Sequence, residues 1–174
     1  MTKHALPCLM IFLLSLCVAS GQTADQHKAV TVNPSGDSVL NGVADGKTIR
    51  VMVSTSKIEI GSADRTTPQP QARKTNCTYS RFPCSQISNL SISVNGKKLF
   101  VPRSIFADRT DVGTMNLSSA AGINVLTLVG GDASESYTVK VFFDTRRIKK
   151  RELYANEANS LVETTTYSPP TVLD

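Results

Sequence analysis

Residues 87–101 constrain the fold more than any other part of the sequence. From Ile87 to Val94 apolar and polar residues alternate, with Leu90, Ile92 and Val94 on one side and Ser91 and Ser93 on the other. That is the period of a strand with one buried face. Asn95-Gly96 follows. Both residue types tolerate the positive φ of a type I′ turn, whose twist matches the flanking strands. Lys97 to Val101 then returns as a second strand, and Pro102 ends it or marks an edge, because proline has no ladder donor.

The same pattern recurs along the chain. In Thr48 to Thr55, Ile49, Val51 and Val53 share a face, and Lys57 to Ile60 continues the run after a kink. Ile123 to Val129 is apolar and β-branched, and Gly130-Gly131-Asp132 turns it into Ser136 to Phe143. There Tyr137, Val139, Val141 and Phe143 point inward, with Thr138 and Lys140 outward. Shorter strands are expected at Met115–Ser119, Ile148–Tyr154 and Leu161–Tyr167. Ser104 to Asp111 reads as a turn or a single helical turn. No long stretch carries the 3.6-residue period of an amphipathic helix. The expectation is an all-β protein, a single antiparallel β-sandwich with an immunoglobulin-like or C2-like general shape.

The N-terminus reads as an address. Lys3 and His4 precede an apolar run from Leu6 to Val18, and small residues surround Ser20. This suits a secretory leader cleaved after Ser20, the run being too short to span a bilayer comfortably. A leader of 20 residues taken from 174 leaves 154, and loss of Lys3 takes the net charge from +5 to +4. The expected organisation is a leader at 1–20 and a flexible N-terminal arm at 21–46. The β-sandwich covers 47–167, with a Pro-containing loop at 62–76, and a disordered tail at 168–174 follows. An exported chain of this kind is periplasmic or secreted, with no integral membrane span after cleavage.

Export also decides the cysteines. Cys8 and Cys17 leave with the leader, and Cys77 and Cys84 remain. An even pair in an oxidising compartment reads as a disulfide. Closing so short a loop is worth about 2–3 kcal/mol. A redox-active pair needs a C-x-x-C spacing at a helix start, which Pro83 and the intervening residues do not supply.

From Ser93 onward, the segments VNGKKLFVPRSIFADRTDV, GGDASESYTVKVFFDTRRI and KKRELYANE, followed by ETTTYS, resemble a group of small exported proteins of proteobacteria. The resemblance covers about residues 87–167. That group has no known activity. The resemblance implies a Gram-negative periplasmic or cell-envelope location and an all-β domain. It implies no catalytic residues.

The residues themselves argue against most chemistries. After leader removal His27 is the one histidine, in the expected arm, and no G-x-S-x-G elbow occurs. A triad or a zinc site therefore lacks its parts, and no cofactor or nucleotide motif stands out. Asp108, Asp111 and Asp132 could form a carboxylate cluster for an enzyme acting on envelope polymers. Turn chemistry explains the same residues, because Asp bends the backbone by bonding nearby amides. Tyr137, Leu126, Leu128 and Phe143 could line a lipid cavity, but core is the default for such residues. Three N-x-[ST] triplets, at Asn76, Asn89 and Asn116, occur in a chain rich in Ser and Thr and carry no meaning in a bacterial setting.

One run of charge stands apart: Arg146, Arg147, Lys149, Lys150 and Arg151. In an extended segment Arg147, Lys149 and Arg151 face one way and Arg146 and Lys150 the other, unless a bulge realigns them. The run either contacts an anionic surface or an acidic envelope protein, or it is a solvated edge strand whose charges block pairing. Nucleic acid is a poor partner for an exported chain with few stacking aromatics. The sequence thus leads to a non-enzymatic envelope module that binds or scaffolds another component.

Overall fold

The computed structural model describes residues 25–26, 28–58, 77 and 84–168. The expected leader, His27, the 62–76 loop and residues 169–174 of the tail lie outside them.

The structure is all-β, built as two antiparallel sheets. Strands β1 (Asp25–Gln26), β2 (Val30–Thr31), β3 (Gly36–Ala44), β4 (Lys47–Ile58), β5 (Cys84–Val94) and β6 (Lys97–Lys98) come first. Then follow β7 (Val112–Ala120), β8 (Ile123–Gly130), β9 (Tyr137–Phe143), β10 (Ile148–Ala155) and β11 (Ser160–Thr166). One sheet runs β3-β4-β5-β6. The other runs β7-β8-β9-β10-β11, with β1 and β2 both pairing on the free side of β7. Each sheet is mainly a meander, so neighbours in sequence are neighbours in space.

Three two-residue turns drive the meanders. Asp45-Gly46, Asn95-Gly96 and Ala121-Gly122 each have two consecutive positive φ angles: 48° and 70°, 49° and 77°, 51° and 78°. That is type I′ geometry. Asn95 adds a side-chain lock, accepting from the Thr48 amide at 2.9 Å while its own amide donates to the Thr48 carbonyl at 2.8 Å.

The alternating residues meet between the sheets. Ile49, Val51, Val53, Leu90, Ile92 and Val94 from one sheet and Leu117, Leu126, Leu128, Val139, Val141 and Phe143 from the other are all buried in one contiguous core. Burial of this kind supplies the main driving force for the fold.

Two expectations need correction. Much of the expected arm at 21–46 belongs to the sandwich: Val30–Thr31 pairs with β7, Val32 is buried in the core, and residues 36–44 are a full strand. They form β3, paired with β4 along its whole length from Gly36↔Thr55 to Ala44↔Lys47. Leu40 and Ala44 point into the core. The stretch reads as polar because its other inward position is Ser38, so its pairing with β4 supplies what propensity does not. The second strand of the first hairpin also stops early, at Lys98 rather than Val101. Leu99 turns inward, Phe100 is left 83% exposed, and the chain leaves the sheet.

Residues 99–111 then cross from one sheet to the other. A single 3₁₀ turn, Arg103–Ile105, buries Ile105, and Phe106 is buried after it. The crossing ends at Thr110, bridged to Gln86, and Asp111, whose amide donates to the Ser85 carbonyl at 2.7 Å.

Candidate functional site: a charged crossover and a basic end

The crossover brings the SIFADRTD residues against β9, β10 and β11. Asp108 accepts from Arg109 Nη2 at 2.7 Å and from Arg151 Nη2 at 2.9 and 3.1 Å. Arg151 Nη1 reaches Glu163 on β11 at 2.9 Å. Burial raises the Asp108 pKa, but the Arg109 hydrogen bond and the charges of Arg109 and Arg151 outweigh it and hold the carboxyl below its ordinary value. The Arg109 guanidinium also lies over the Tyr137 ring, 5.2 Å from its centroid. The Tyr137 hydroxyl donates to the Thr110 carbonyl at 2.6 Å. Burial pushes its phenol pKa up.

This arrangement ties the three acids singled out in the sequence to different tasks. Asp108 neutralises guanidinium groups. Asp111 accepts from the Ser85 amide at 2.9 Å. Asp132 accepts from the Ala133 amide at 2.9 Å and starts a 3₁₀ turn. The geometry is that of a clamp between sheets, and it offers the carboxylate-enzyme reading no support. Tyr137, Leu126, Leu128 and Phe143 likewise belong to the packed core.

The basic run is divided by its own strand. A β-bulge between Ile148 and Lys150 shifts the phase of β10. Ile148, Arg151 and Leu153 therefore point inward. Arg151 is only 2% exposed, so it is a core residue and no part of a surface patch. Lys150 bonds Glu152 at 2.6 Å and sits over the Phe142 ring at 4.3 Å. Lys149 pairs with Asp144 at 2.8 Å. Asp144 also accepts from the Arg146 and Arg147 amides at 2.7 and 2.9 Å, which shapes the β9–β10 turn. Partial burial opposes ionisation of Asp144, yet these donors bring its pKa to about 2. Arg146 is exposed and Arg147 half-buried, and neither makes an ion pair among the described residues.

The cross-links show which ends of the two sheets coincide. Asp111 bonds both Ser85, at the start of β5, and Gly131, after β8. That end of the sandwich also carries Asp37, Asp132, Glu135 and Glu157, from the start of β3 and the β8–β9 and β10–β11 connections. The opposite end carries the Asp45-Gly46, Asn95-Gly96 and Ala121-Gly122 turns and the β9–β10 turn. Tyr167 joins the crossover to it: its amide donates to the Lys149 carbonyl at 2.9 Å, and its hydroxyl lies 3.2 Å from Ser104 Oγ. Here, among the described residues, Lys47, Lys97, Lys98, Arg103, Arg146 and Arg147 collect, against Asp25 of β1, Asp45 and the already paired Asp144. An open depression of about 450 Å³ on the outer face of the first sheet also lies at this end, lined in part by Asn41, Thr48, Arg50 and Ser93.

Attention to the run at 146–151 misses Lys97, Lys98, Phe100 and Arg103. A signal for them exists. No Asp or Glu occurs between Asp64 and Asp108, a span that holds seven Lys and Arg.

The expected disulfide is present, joining Cys77 to Cys84, the first residue of β5, with a Cα–Cα distance of 5.7 Å. Such a bond is compatible with an oxidising compartment. Among the described residues no helix is long and apolar enough to cross a membrane, and no cluster of His, Cys, Asp and Glu is arranged to hold a metal ion. Comparison with protein-family models, curated proteins and solved structures finds no significant match.

Proposed function

We propose that this chain is an exported, non-enzymatic β-sandwich module that binds another component of the cell envelope through its basic end. The observation that carries the reading is the distribution of surface charge among the described residues, where exposed Lys97, Lys98, Arg103 and Arg146 share one end of the sandwich and make no ion pair, while Asp37, Asp132, Glu135 and Glu157 lie at the other. Such polarity orients a protein toward an anionic partner and raises the encounter rate. The leader-like N-terminus, the Cys77–Cys84 bond and the resemblance to small exported proteobacterial proteins support an envelope setting. The engagement of Asp108, Asp111 and Asp132 in internal bonds supports a role without catalysis.

The test is sedimentation with the isolated envelope fraction. The protein is expected to pellet with it at low salt and to be released at high salt. Arg146→Glu with Arg147→Glu weakens the association, while Lys57→Glu, at the other end, leaves it unchanged. Protein that stays in the supernatant at both salts ends this reading.

A further inference from the structure

Phe100 is the most exposed large apolar side chain among the described residues, at 83%. The neighbouring Leu99 and the nearby Ile105 and Phe106 are by contrast all buried. Its surroundings are cationic. Lys97, Lys98 and Arg103 are exposed and make no ion pair among the described residues. Val43, 54% exposed, lies at the same end, paired with Thr48, which bonds Asn95. An exposed aromatic flanked in the chain by exposed cationic side chains matches one kind of surface above others. The aromatic ring enters the boundary between headgroups and acyl chains, and the cations stay level with phosphate.

We propose that this end docks on an anionic phospholipid bilayer, with Phe100 inserted and Lys97, Lys98 and Arg103 on the phosphates. The proposal rests on the binding-module reading and names its partner. Each cation beside an anionic leaflet contributes about fivefold in partitioning.

The experiment uses protein purified after export. The chain contains no Trp, so Phe100→Trp introduces a single indole at the tip. Vesicles of phosphatidylcholine alone are compared with vesicles containing one-third phosphatidylglycerol. The expected result is sedimentation with the anionic vesicles only, with a blue shift of the indole emission. Phe100→Ser reduces partitioning about tenfold, and Lys97→Glu with Lys98→Glu reduces it more than about twentyfold. These residues are exposed, and an unchanged far-ultraviolet spectrum verifies that each variant folds. Failure to bind either vesicle, or binding indifferent to Phe100→Ser, overturns the proposal. If the protein still pellets with the envelope fraction but loses this after protease treatment of that fraction, the partner is a protein. The binding-module reading then stands and the lipid proposal falls. Failure in both assays removes both.

Discussion

Arg151 on β10 donates through Nη2 to both carboxylate oxygens of Asp108, 43 positions earlier in the chain, at 2.9 and 3.1 Å. The guanidinium is almost wholly buried, whereas the Asp108 side chain is 39% exposed. A long-range pair therefore holds the crossover onto the second sheet, with solvent reaching the carboxylate side. Taking a charge out of water is costly, and the pair offsets that cost only while both partners remain.

Arg151→Ala is expected to cost about 3 kcal/mol, since it removes packing and leaves Asp108 and Glu163 without their shared partner. Arg151→Met keeps the volume and costs less, about 1–2 kcal/mol. Arg146→Ala, on the exposed turn, stays within about 0.5 kcal/mol of the parent. Urea denaturation midpoints of the three variants provide the check, and equal effects at 151 and 146 would contradict the buried placement.

Tyr137 sits where the crossover meets the β8–β9 connection. Tyr137→Phe removes the bond to the Thr110 carbonyl and is expected to cost about 1–2 kcal/mol. Gly130→Ala is worse, at about 2–4 kcal/mol. A Cβ there would lie 2.5 Å from the Tyr137 hydroxyl oxygen and 2.9 Å from the Asp111 carbonyl. In an alkaline titration Tyr137 ionises above its ordinary value of 10.0, because burial disfavours the phenolate. A raised pKa means that its contribution is whole below pH 10.0 and is lost above it. Phenolate absorbance recorded beside a fold-sensitive signal shows whether Tyr137 ionises only as the protein opens.

Asp144 predicts an acid response. Its folded pKa is about 2 against an ordinary 3.8, so its contribution is present above pH 3.8 and is lost as pH falls toward 2. Asp144→Asn removes the Lys149 ion pair and weakens the turn at neutral pH by about 1 kcal/mol, a figure discounted for solvent. The variant should also show a flatter loss of stability than the parent between those two pH values. Thermal melts across the range measure both effects.

Reduction of the Cys77–Cys84 bond is expected to lower stability by about 2–3 kcal/mol, by freeing a short loop in the unfolded chain. Cys77→Ser with Cys84→Ser should match the reduced parent. Denaturation with and without reductant tests this, and a parent indifferent to reductant would speak against it.

The hairpins were the most legible part of the sequence. Asn95-Gly96 sits between two runs of correct period, and local chemistry alone selects its turn. Asp45-Gly46 carries the same signal, but Gly36–Ala44 before it has small inward residues and a weak alternation, so β3 reads as loop. Arg151 departs from the strand period for a different reason. Strict period-two counting places Arg151 with Lys149, and one extra residue at the Ile148/Lys150 bulge breaks that rule. The charged end was harder still, since the segments of Lys97, Arg103 and Arg146 come to one end of the sandwich only through packing.

Composition, alternation and turn chemistry therefore determined the all-β class, most strands, the inward faces of β4, β5 and β9, and the cysteine pair. These depend on residues close together in the chain, whose sterics and spacing are local. Tertiary structure alone decided that Arg151 is a core residue clamped to Asp108, that Gly36–Ala44 is a strand, and which lysines and arginines of distant segments share one end of the sandwich. Each of these depends on which distant segments share a face or an end. Backbone pairing and burial settle that, and no local pattern encodes it.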